Sequence, residues 1–97
     1  VLIGSSPPPP KNLAIGGIVE PSVKFKWDEN NDKNIKGYKI YWRETSSPHW
    51  QFSRYVGNIN KYTLDGIIID NYLFSITSVS NSGYESIFEF PSETFRN

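Results

Sequence analysis

Tyr41, Arg43 and Tyr55 are the side chains of this sequence best suited to engaging another molecule. Tyr41 and Arg43 share one side of the alternating run Gly-Tyr-Lys-Ile-Tyr-Trp-Arg-Glu, residues 37–44, opposite Tyr38, Ile40 and Trp42, and Tyr55 belongs to the next run. Phenol rings offer faces on which a sugar or peptide plane stacks, and a guanidinium offers paired N–H donors to a carboxylate. With Gln51 and Arg54 nearby in sequence, an exposed aromatic platform is one reading of this surface. Ordinary cross-strand packing is the other, each pair contributing only ~0.2–1 kcal/mol.

Covalent chemistry has far less to work with. His49 is the single histidine and cysteine is absent, so no zinc site built from histidine and cysteine can be assembled. Serines are plentiful, but no Gly-x-Ser-x-Gly elbow raises one of them as a nucleophile. The inventory predicts no catalytic residue, no metal site and no cofactor. Asp28, Asn30, Asp32 and Asn34 recur at every second position, as calcium ligands do, yet Lys33 stands where such a loop turns on glycine and Lys39 where it closes on glutamate. A polar loop bonding its own backbone is expected, with weak millimolar calcium binding as the minority case.

The elements that carry these residues all read as strands. Residues 37–44 alternate as a half-buried strand whose large apolar side needs a second layer to cover it. Before it, Lys11 to Ile15 reads as a short edge strand turned by Gly16-Gly17, and Ser22 to Trp27 alternates with Val23, Phe25 and Trp27 inward. After the turn at residues 45–48, residues 50–56 form a less buried fourth strand and Lys61 to Leu64 a fifth. Ile67 to Ile69 cross between sheets, Tyr72 to Ser80 is central, Asn81-Ser82-Gly83 turns the chain, and Ile87 to Phe90 is the last strand, stopped by Pro91. Seven short strands without a 3.6-residue period predict an all-β, antiparallel sandwich. Its expected core is Trp27, Tyr38, Ile40, Trp42, Tyr72 and Phe74, with Trp27 as anchor. Burying ~200 Å² of that indole at ~25 cal/mol per Å² contributes up to about 5 kcal/mol.

Composition narrows the partners. Ten basic and ten acidic residues cancel, which removes the electrostatic signature of a nucleic-acid or anionic-membrane binder. No apolar run approaches the ~18 residues of a membrane span. The 97 residues fit one domain, expected over residues 10–97 and monomeric in isolation. Residues 1–9 end in a proline run after Gly4-Ser5-Ser6 and read as a linker remnant.

Val-x-Phe-x-Trp at 23–27, Gly-Tyr-x-Ile-x-Trp at 37–42, Tyr-Thr-Leu at 62–64, Tyr-x-Phe-x-Ile at 72–76 and Asn-Ser-Gly-Tyr-Glu-Ser at 81–86 together resemble a fibronectin type III domain over residues 8–91. The resemblance implies a seven-stranded immunoglobulin-like sandwich, with Trp27 packed between the sheets and Tyr72 making a corner hydrogen bond. The approach to that corner, Ile67-Ile68-Ile69-Asp70-Asn71, lacks the family's proline and glycine.

A narrower resemblance rests on residues 37–50, Arg-Tyr-Val-Gly at 54–57, Ile-Asp-Asn-Tyr-Leu-Phe at 69–74 and Gly-Tyr-Glu-Ser at 83–86. These are similar to the C-terminal fibronectin type III domain of exported bacterial zinc peptidases of the aminopeptidase-Y and transferrin-receptor-like class. None of that family's zinc ligands falls here. The resemblance implies a noncatalytic accessory module of an exported protein, serving stabilisation, spacing or substrate presentation. Its partner would be its own upstream catalytic domain, with polypeptide substrate or surface glycan as further partners. A carbohydrate-binding or adhesion module is the alternative.

Overall fold

The computed structural model describes residues 7–17, 21–30 and 32–94. Six strands of five residues or more follow in order: β1 (Lys11–Gly17), β2 (Ser22–Asp28), β3 (Ile35–Glu44), β4 (Phe52–Gly57), β5 (Lys61–Asp65) and β6 (Tyr72–Ser80). A two-residue β7 (Glu93–Thr94) ends the series, and a single 3-10 turn, Ile69–Asn71, precedes β6. One sheet runs β5-β2-β1-β7 and the other β4-β3-β6. All pairings are antiparallel except β1 with β7.

Alternation decides which side chains meet between the sheets. Leu13, Ile15, Val23, Phe25, Trp27 and Leu64 face inward from the first sheet, and Tyr38, Ile40, Trp42, Phe74 and Ile76 from the second. Phe25 meets Phe74 edge to face at 5.3 Å, and Trp27 meets Tyr38 at 5.5 Å. Such pairs add to the burial that holds the layers together. Trp27 is 4% exposed, and its buried Nε1 has no partner among the described residues.

Four expectations change. The tract Gly16-Gly17 is strand rather than turn, pairing with Lys24 and Val23; a Cβ on Gly17 would lie 3.3 Å from Ile69 Cγ2, so glycine serves close approach here. The strand β1 is not an edge, because β7 lies beside it. Residues 87–90 are not a regular strand: around them only the isolated bridges Val79–Glu85 and Ile76–Glu89 form, and ladder pairing resumes past Pro91 on the other sheet. Tyr72 is half-buried at the mouth of β6, its ring 6.4 Å from that of Phe74. Its hydroxyl makes no hydrogen bond among the described residues, since the 3-10 turn replaces the proline-glycine approach that would shape the corner. Of the linker, residues 1–6 lie outside the described residues, and Pro7 and Pro10 are buried.

Candidate functional site

Lys39, Tyr41 and Arg43 occupy the outer face of β3 because they alternate with the buried Tyr38, Ile40 and Trp42. The register sets Ser53 of β4 and Ser75 of β6 on either side of Tyr41. Two small neighbours leave room for the phenol to lie across the sheet. Its ring meets Phe88 edge to face at 5.1 Å and approaches Trp50 at 6.4 Å. Trp50 in turn lies 5.4 Å from Phe88 and stacks with Phe90 at 6.3 Å. The Arg43 guanidinium sits 5.2 Å from the Trp50 ring centre, and its Nη1 donates to the Ser47 carbonyl. A cation over an indole face is attracted by the ring's quadrupole, and the bond to Ser47 fixes the turn that delivers Trp50.

One carboxylate organises the other side of Tyr41. Glu85 accepts from the Tyr41 hydroxyl and, at 3.0 Å, from Thr77 Oγ1, while Lys39 Nζ lies 3.8 Å from its second oxygen. Burial first, and then the hydrogen bond and negative charge of Glu85, hold the Tyr41 hydroxyl far above the usual phenol pKa. Tyr41 is thus a neutral donor that latches the segment 84–91 across the sheet. Its phenol stays protonated at ordinary pH.

Tyr55 stands apart from this cluster. Its hydroxyl donates to the Lys36 carbonyl at 3.1 Å, and the hydroxyl end of the phenol lies against the place a Cβ on Gly37 would take. Tyr41 and Arg43 are therefore joined by Trp50, whereas Tyr55 packs at the opposite end of the face. Arg54 points to the other side of β4, where Nη1 donates to the Tyr62 hydroxyl at 3.0 Å and ties the two sheet edges. Gln51 pairs with Glu44. His49 is exposed in the turn.

Sequence reasoning missed the part played by Phe88, Phe90 and Leu73. These are 37%, 56% and 42% exposed, and with Trp50 they form a contiguous apolar patch of the kind that marks contact surfaces. The alternation Phe-Glu-Phe at 88–90 was the available signal, since it places both rings on one side. A groove of about 340 Å³ opens beside the patch, walled by Trp50, Tyr72, Leu73, Phe74, Phe90 and Pro91 among others.

Three side-chain oxygens of the Asp28–Asn34 loop are already engaged, two of them by the loop's own backbone. Asn30 Oδ1 accepts from the Asp32 N–H at 2.9 Å and Asp32 Oδ1 from the Asn34 N–H at 2.8 Å, while Asp28 accepts from Asn12 Nδ2 at 2.6 Å. Among the described residues no three His, Cys, Asp or Glu side chains cluster as metal ligands, and no helix is long and apolar enough to cross a membrane.

Residues 8–95 match the sequence model of the fibronectin type III domain. Among individual proteins, the chain is 35% identical to a probable zinc metalloprotease of Pyrenophora tritici-repentis, over 98% of this chain and 23% of that protein. It is 34% identical to one of Phaeosphaeria nodorum, over 98% of this chain and 20% of the relative. The chain thus spans between a fifth and a quarter of the length of these relatives. They are fungal, whereas the resemblance in sequence implied bacterial peptidases. In three dimensions, a solved fibronectin type III domain of human collagen alpha-1(XX) superposes with a TM-score of 0.70 at 19% identity, covering 97% of this chain and 92% of that one. A Fn3-like protein from Clostridium thermocellum gives 0.61 at 18% identity, covering 96% of each chain.

Proposed function

The chain belongs to the fibronectin type III family, a noncatalytic fold, and on that premise we propose that it is an accessory domain of an exported zinc metalloprotease, packed against the rest of that protein to stabilise it. The observation that carries this reading is the end-to-end match of the chain to less than a quarter of a probable zinc metalloprotease. The zinc chemistry then belongs to the remaining three quarters, and this domain contributes surface. Its patch around Trp50, Leu73, Phe88 and Phe90 is the surface with the most to gain from cover, at ~25 cal/mol per Å² removed from water.

A stacking platform for glycans fits less well. Such a platform needs two accessible ring faces in one plane, and here Tyr55 lies away from Tyr41 while Trp50 is flanked by Arg43 and Phe88. Nuclear spin relaxation of the intact protease tests the accessory reading. The domain is expected to tumble with the whole molecule; tumbling as a free 11.1 kDa body would overturn it.

A further inference from the structure

We infer that the outer edge of β4 pairs two copies of this chain, antiparallel and about a two-fold axis at Ser53, so that their three-stranded sheets run on as one. Composition alone leads to the expectation of a monomer; the edge of β4 points to a pair.

Register shows which backbone groups that edge offers. Ile76 exchanges two backbone bonds with Glu89, at 3.0 and 2.9 Å, on the side of β6 away from β3. Alternate residues of an antiparallel strand bond to opposite sides. Ile40, opposite Ile76, therefore turns its N–H and C=O away from β6 and toward Arg54 of β4. Glu44, in phase with Ile40 on β3, agrees, since its N–H donates to Gln51 Oε1 on that same side. Arg54 directs its backbone groups at β3, so Ser53 and Tyr55 on either side of it direct theirs outward. The strand β4 ends its sheet, and among the described residues no partner meets those outward groups. The register shift in this pairing falls between Tyr38 and Lys39, past Tyr55.

This edge is open to solvent. Every residue from Gln51 to Tyr55 is exposed, Phe52 at 44% and Tyr55 at 47%. Stable proteins ordinarily blunt such edges with charge, proline or cover. The free edge of the other sheet is treated in that way, because β5 carries Lys61 and Asp65. By contrast β4 has no lysine, proline or carboxylate, and its single charge, Arg54, reaches across to the Tyr62 hydroxyl.

The occupant follows from self-complementarity. A two-fold axis at Ser53 sets Ser53 against the partner's Ser53, where the two exchange N–H and C=O bonds, and sets Tyr55 against the partner's Gln51. On the other face Phe52 meets the partner's Arg54, a cation against a ring. Moving the axis to Arg54 would oppose two guanidinium groups, which is destabilising. The ten basic and ten acidic residues cancel, so no net charge drives two copies apart. Pairing of this kind uses up the edge on both copies and closes as a dimer. Phe88 and Phe90 belong to the segment beyond β6, at the opposite edge of the sheet, so the pairing does not draw on them.

Sedimentation of the isotope-labelled 97-residue chain, whose core closes between its own two sheets, tests the proposal together with amide exchange. A dimer is expected to form as concentration rises, with exchange of the Ser53 and Tyr55 amides slowing in step. Ser53→Lys and Ser53→Glu each set like charges against each other at the axis, and each is expected to weaken pairing about tenfold or more. An equimolar mixture of the two variants is expected to restore it. Ser53 is exposed, so both should melt as the parent chain does. Should either fail to fold, the Ser53 and Tyr55 amides decide alone. A chain still monomeric at about 1 mM overturns the proposal, as does a dimer in which those amides exchange unchanged. Neither result touches the accessory reading, which free tumbling within the intact protease would remove.

Discussion

The Tyr41 hydroxyl donates to the Glu85 carboxylate across 44 positions of sequence. It joins the middle of β3 to a segment that pairs with β6 through isolated bridges at Glu85 and Glu89 and through backbone bonds from Ser86 to Ser78 and from Ser80 to Tyr84. The latch adds to the β6 bonds that keep residues 84–91 along the sheet, where Phe88 and Phe90 reach the outer face.

Removing that hydroxyl should change the alkaline limb of stability. Tyr41 has its pKa raised in the fold by burial and by Glu85. Its contribution is therefore fully present below the unfolded phenol value of about 10, and is lost as pH climbs from there toward the folded value. The stability gap between the parent chain and Tyr41→Phe should be constant near neutrality and shrink above about pH 10. Denaturant melts across that range measure it, and a gap independent of pH would contradict the latch.

Gly37→Ala should destabilise the domain by roughly 1–3 kcal/mol, as overpacked sites do. A Cβ there would clash with the Tyr55 hydroxyl and lie 2.7 Å from its Cζ and 2.8 Å from the Gly57 carbonyl carbon. Adding Tyr55→Ala should recover part of the loss and not the rest, since the backbone contact persists. Full recovery in the double variant would show that the ring alone requires glycine.

Trp27→Ala should lose about 3–5 kcal/mol, enough to abolish cooperative folding in a domain of ordinary stability. Trp27→Phe should cost less, because the indole N–H has no partner to lose among the described residues. A cooperative, native-like melt of the alanine variant would refute the anchoring role.

Calcium should leave the melting temperature unchanged. A site of about 1 mM affinity would add about 1 kcal/mol at about 5 mM calcium, or about 4–8 °C in a domain of this size. Asn30 and Asp32 instead direct oxygens at their own loop's N–H groups. A rise of that size would reopen the loop as a metal site.

The core was legible because alternation is a local property. Val23, Phe25 and Trp27, like Tyr38, Ile40 and Trp42, declare their face within five or six residues, and all six are buried. What escaped was set by partners distant in sequence. Nothing local shows that Glu85 will meet Tyr41, that Tyr55 will settle on Gly37, or that Arg54 will reach Tyr62 in the other sheet. Gly17 follows the same rule: the side chain that passes close to it is Ile69, far along the chain. Pro91 was read correctly as a break, but the return of the chain to β1 beyond it depends on the Leu13 carbonyl.

Peptide hydrolysis by the parent protease with and without this domain tests the central claim most directly. Deletion should leave turnover of a short peptide substrate intact while lowering the temperature at which the protease inactivates, and the 97-residue chain supplied with zinc should hydrolyse nothing. Loss of turnover at temperatures where the truncated protease remains folded, or hydrolysis by the isolated chain, would contradict it.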